Sequence, residues 1–102
     1  MSTVSVLLLN SEKMRDFYFT KDVAKTASQM IAHGEYQLLN TMVISQEGKK
    51  AAEEMFDLSN NPGREDEREI HYGRHRSVSV GDIVVVDGVN YVCARFGWEK
   101  LI

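Results

Sequence analysis

The sequence predicts an α+β domain in which two short helices pack on an antiparallel or mixed sheet and a C-terminal β-hairpin lies inside that sheet. Three observations predict it. Residues 83–86 (IVVV) and 89–94 (VNYVCA) are apolar, largely β-branched runs joined by Asp87-Gly88, the pair that two-residue type I′ turns favour. Residues 23–31 and 49–59 carry apolar side chains at helical spacing instead. The 102 residues fit one domain, residues 1–102, and a chain of that size buries roughly two-thirds of the surface it exposes unfolded.

Residues 3–9 (TVSVLLL) read as the first strand, closed by the turn formers Asn10-Ser11. Residues 14–19 support two readings, a strand favoured by Phe17, Tyr18 and Phe19 or a helical turn favoured by Glu12, Lys13, Met14 and Arg15 before them. Thr20 is the expected N-cap of a helix that ends at Gly34, with Val23, Ala24, Ala27, Met30 and Ile31 on one face. Tyr36–Ile44 reads as a strand with a bulge at Asn40-Thr41. Ser45 is the expected cap of the second helix, whose stripe is Ala51, Ala52, Met55 and Phe56. Asn60-Asn61-Pro62-Gly63 ends it, and residues 64–75 (REDEREIHYGRH), dense in both charges, read as a surface loop. In the hairpin, a two-residue turn sets Val86 against Val89, Val84 against Tyr91 and Ile83 against Val92. Both its faces are then apolar, so both need cover.

A formal charge of −3 is too small to mark a polyanion binder or a nucleic-acid mimic. Cys93 is the only cysteine, so no internal disulfide forms and a reducing compartment is expected. The apolar run near the start is too short to span a bilayer. A soluble, cytoplasmic protein with no membrane partner is expected.

Candidate functional residues cluster late in the chain. Arg74, His75, Arg76, Phe96 and Trp98 are the expected partner-binding residues, with capping of the core the other reading of Phe96 and Trp98, and the basic cluster with Tyr72, Phe96 and Trp98 as stacking rings would serve single-stranded nucleic acid. Glu65, Asp66, Glu67 and Glu69 oppose the second use by mixing charge sign. In SVSVGD, Ser77, Ser79 and Gly81 are expected on one face of a strand, with Val78 and Val80 on the other. Asp82 then enters an apolar run, where a carboxylate needs donors, and its expected role is structural, accepting backbone N–H groups where the chain turns into the hairpin. A catalytic grouping of Asp82 with Ser77 or Ser79 and His75 lacks a nucleophile elbow or a Gly-rich phosphate loop. His71 and His75 are four residues apart, but Gly73 lies between them and neither CxxC nor HExxH occurs. No metal, cofactor or enzymatic activity is expected.

The stretch RSVSVGDIVVVDGVNYVCARFGWEKL, residues 76–101, resembles the YodL-like family of small bacterial, phage and plasmid domains. Arg76-Ser77, Ser79-Val80 and Asp82 carry the first part of the resemblance, Tyr91-Val92 the middle and Phe96-Gly97-Trp98 the end. Tyr36-Gln37-Leu38 and the acidic helix ending at Phe56 are similar to the strand and helix that precede it. The resemblance implies an accessory protein of phages or other mobile elements, acting in the host cytoplasm by binding a host protein, with no enzymatic activity. A nucleic-acid-binding module built on Arg74–Arg76 and the adjoining rings is the alternative.

Overall fold

A computed structural model describes residues 1–101. Five strands, β1 (Ser2–Leu9), β2 (Tyr36–Ile44), β3 (Ile83–Val86), β4 (Val89–Ala94) and β5 (Gly97–Lys100), form one sheet in the order β2-β1-β3-β4-β5. Every neighbouring pair is antiparallel. The hairpin β3–β4 is therefore interior, between β1 and β5. Asp87 and Gly88 have φ of +48° and +82°, as a type I′ turn demands. The register pairs Val86 with Val89, Val84 with Tyr91 and Ile83 with Val92. Asp87 also fastens the turn to β1: its N–H donates to Thr3 O and its carboxylate accepts from Thr3 N, both at 2.9 Å.

Strand alternation sends the apolar residues to two cores. Val4, Val6, Leu8, Val84, Val86 and Cys93 lie under α3 (Gly48–Asn60), packed on Ala51, Ala52, Met55 and Leu58. Leu9, Ile83 and Val92 lie on the opposite face with Phe17 of α1 (Arg15–Phe19) and Ala27 of α2 (Val23–Ala32). Ile83, Val84 and Val92 are fully buried, and each such side chain contributes about 1.5–3 kcal/mol relative to exposure.

Several local expectations change. Residues 14–19 take the helical option as α1, because Phe17 is then buried against Gly81 and Leu9. The N-cap of α2 is Asp22, not Thr20: its carboxylate accepts from Lys25 N at 3.0 Å, while the Thr20 hydroxyl meets Thr26. Ser45 caps nothing, since α3 starts after an extended Glu47 and has no side-chain cap. The bulge in β2 falls at Leu39 and Asn40, which share one opposing residue, Val6.

The largest correction concerns residues 64–75. Most of them are not a loop: a 3-10 turn, Pro62–Arg64, leads into α4 (Glu65–His71), and only residues 72–75 remain irregular. Asn61 Oδ1 accepts from Gly63 N at 2.9 Å, Pro62 starts the turn, and Glu65, Asp66 and Glu67 face the positive end of the helix dipole. Arg64 then binds Glu54 through both Nη atoms at 2.8 Å, and reaches Asp57 and Glu67. Part of the mixed charge that resembles a solvated loop is thus a paired network centred on Arg64. Residues 77–80 are not a strand either; they form an irregular crossing closed by a turn, with Asp82 N donating to Ser79 O. Among the described residues no helix is long and apolar enough to cross a membrane.

Candidate functional site

The antiparallel ladder between β1 and β3 ends at Leu7 opposite Ile83. Leu9, two residues on, turns its N–H and C=O toward the same side with no strand left to receive them. Two side chains from the irregular crossing take the strand's place. Asp82 Oδ1 accepts from Leu9 N at 2.7 Å, and Arg76 Nη2 donates to Leu9 O at 2.7 Å. The pair is itself bidentate, Arg76 Nη1 to Asp82 Oδ2 at 2.6 Å and Nη2 to Oδ1 at 2.7 Å. Ser79 N completes the set with 2.7 Å to Oδ2. An ion pair thus forms one extra rung of the sheet.

Neighbouring groups hold that rung in place. Tyr72, 2% exposed, donates its hydroxyl to Arg76 O. Ser77 Oγ donates to Ser59 O at 2.6 Å, Val78 N donates to Ser59 Oγ at 3.0 Å, and Asn60 Nδ2 donates to Val78 O at 3.0 Å. Tyr36 hydroxyl donates to Gly81 O at 2.7 Å. Gly81 has φ +94°, and a Cβ there would sit 2.8 Å from Phe17 Cδ2, so glycine is required for both torsion and space.

The electrostatics follow from burial beside a carboxylate. Hydrogen bonding to Asp82 raises the Arg76 guanidinium further above its ordinary value. Burial, with Asp82 adding to it, pushes the Tyr72 hydroxyl up to about 12 and the Cys93 thiol up to about 11, and raises Tyr36 as well. Four donors at 2.6–2.7 Å occupy the Asp82 carboxylate, leaving no open position for a substrate proton.

Comparison with known protein families, characterised proteins and solved structures finds no match. What the chain offers a partner is therefore read from its surface.

The five expected contact residues do not share one surface. His75 and Arg76 line a cleft of about 520 Å³ with Asn10, Glu35, Tyr36 and Gln37. Arg76 is turned inward to Asp82, its side chain 32% exposed. Arg74 is exposed. Trp98 is 8% exposed and meets Phe56 edge to face, ring centroids 6.4 Å apart, so it belongs to the core. Phe96 is the exception: it stands 98% exposed in the two-residue Arg95-Phe96 turn between β4 and β5. Ser77 and Ser79 serve the crossing, Ser77 by its hydroxyl and Ser79 by its backbone N–H. Among the described residues His75, Ser77 and Asp82 share no hydrogen bond, and no cluster of three or more His, Cys, Asp or Glu that could hold a metal occurs.

Two features escape sequence reasoning. The strand β5 is too short and too charged (GWEK) to show alternation, yet it creates the turn that lifts Phe96. The groove of about 240 Å³ beside Phe96 draws Phe17, Tyr18 and Val23 from the N-terminal half and Val80, Ala94, Arg95 and Glu99 from the C-terminal half. No local pattern joins those segments. The Arg76–Asp82 pair joins opposite charges at the two ends of SVSVG, and only the fold shows that they meet.

Proposed function

We propose that this protein is a small non-enzymatic binding module, an accessory protein of the YodL-like kind from a phage or another mobile element, which acts by docking on a host protein. The observation that carries the reading is Phe96. A phenyl ring 98% exposed on a two-residue turn is held by the paired strands β4 and β5, so it is presented without much further ordering cost. Beside it lies an apolar groove with Tyr18 at 48% exposure and the charged rim of Arg95 and Glu99. An aromatic anchor, an apolar recess and a polar rim are the ingredients of a protein-binding hot spot. The polar constellations are committed internally: Arg76 to Asp82, and Arg64 to three carboxylates. That disposition favours protein contact over phosphate contact.

A photo-crosslinking benzoylphenylalanine at position 96, with one at the remote, 76% exposed Ile70 as control, tests the reading in host extract. The expected result is a discrete protein adduct from position 96 alone, competed by the parent chain and not by Phe96→Ala. Equal adducts from both positions, no adduct, or a nuclease-sensitive adduct that disappears steeply with salt would refute it.

A further inference from the structure

The two edges of the sheet are protected very differently. β5 is four residues long and ends in the exposed charges Glu99 and Lys100. Such short, charged edges resist pairing with another strand. β2 runs nine residues, YQLLNTMVI, pairs among the described strands with β1 alone, and contains neither charge nor proline. Leu38 is 61% and Val43 58% exposed. An apolar, uncharged edge of this length calls for an occupant.

The sequence of β2 names one. Leu38-Leu39-Asn40-Thr41-Met42-Val43 has the same polarity read in either direction, two apolar, two polar, two apolar. Antiparallel pairing with its own copy about a two-fold axis between Asn40 and Thr41 sets Leu38 against Val43, Leu39 against Met42 and Asn40 against Thr41. Paired residues must project from the same face. In a regular strand Leu38 and Val43, five apart, would point to opposite faces. The bulge at Leu39-Asn40 removes that conflict: Leu38 and Val43 both sit on the face of Leu7 and Thr3, while Leu39 and Met42 both face the core under α3. The irregularity that spoils β2 as a plain strand makes it self-complementary. No like charges meet across the axis, because β2 carries none.

We propose that β2 is an isologous dimer interface, joining two copies of this chain into one continuous ten-stranded sheet. It is a surface separate from Phe96, which lies at the β4–β5 end.

Sedimentation of the full chain over a dilution series tests it. The parent is expected to dimerise reversibly. Leu38→Lys, at a position already more than half exposed, is expected to raise the dimer dissociation constant by about tenfold or more by placing an unpaired ammonium against Val43. Adding Val43→Glu to that variant sets the introduced ammonium against the introduced carboxylate twice in each dimer, and is expected to bring the constant back toward the parent value. A parent that stays monomeric throughout, including one that captures only a foreign strand, overturns the proposal. So does a dimer indifferent to Leu38→Lys, or a double variant that associates no better than the single one.

Discussion

Replacing Asp82 by Asn is the sharpest test of the side-chain rung. Four donors converge on the carboxylate: Leu9 N and Arg76 Nη2 on Oδ1, Ser79 N and Arg76 Nη1 on Oδ2. An amide has one oxygen and one NH2. Whichever way it is turned, two donors keep an acceptor of neutral strength and two face N–H groups. Bonds to charged groups contribute about 1.5–3 kcal/mol each, and an orphaned buried donor costs about 1–3 kcal/mol. The Arg76 side chain is 32% exposed, so water recovers part of its loss, which places the net cost at roughly 3–5 kcal/mol, the range seen when one partner of a buried pair is removed. That is a large share of a total stability of about 5–15 kcal/mol. Urea unfolding followed by the fluorescence of Trp98, the only tryptophan and 8% exposed, measures it directly, with far-UV circular dichroism as the second probe. A cycle with Arg76→Met isolates the pair: the double variant is expected to lose far less than the sum of the singles. A shift below about 1 kcal/mol for Asp82→Asn, or additivity in the cycle, would refute the reasoning.

Two further outcomes follow from the same region. Gly81→Ala is expected to cost about 2–5 kcal/mol, adding the strain of a positive φ to a 2.8 Å approach to Phe17; an unchanged urea midpoint would count against that contact. Stability is also expected to fall in alkali. Cys93 and Tyr72 hold their protons more firmly folded, up to about 11 and about 12 against ordinary values of 9.0 and 10.0, so the unfolded chain deprotonates first. Their contribution is intact below pH 9 and is lost as pH climbs through the folded values; thermal melts of the parent should show this, and Cys93→Ala should show less of it between pH 9 and 11.

How much of this was legible depends on the range of the interaction that fixes each feature. The hairpin was legible to its register, because Asp87-Gly88 and the flanking β-branched residues act within a dozen positions. The helical stripes of Ala27 and of Ala51, Ala52 and Met55 point at the core as the spacing requires. Charge density misled at α4, where Glu65, Asp66 and Glu67 look like loop composition until Arg64 is seen gathering Glu54, Asp57 and Glu67 from two helices. Asp82 was recognised as a buried carboxylate in need of donors. Its partners were not, because Leu9 lies at the far end of the chain and Arg76 reaches it through a segment with no periodicity.

The position of that ion pair explains why the most conspicuous charged groups of the chain are poor candidates for chemistry. An irregular crossing that enters a sheet one step beyond its last backbone rung leaves a strand's N–H and C=O exposed to an apolar interior, where each costs more than a surface group. A guanidinium and a carboxylate together present one donor and one acceptor at the spacing a peptide unit would, and do so from residues that need no strand geometry. Arg76 and Asp82 meet that need at Leu9, and every further hydrogen bond around them, from Tyr72, Ser79 and the Ser77–Ser59 contact, stiffens the same crossing. The Asp82 carboxylate, held so completely, has no acceptor left for anything else. The surfaces proposed for partners lie elsewhere, at the phenyl ring of the β4–β5 turn and the open edge of β2.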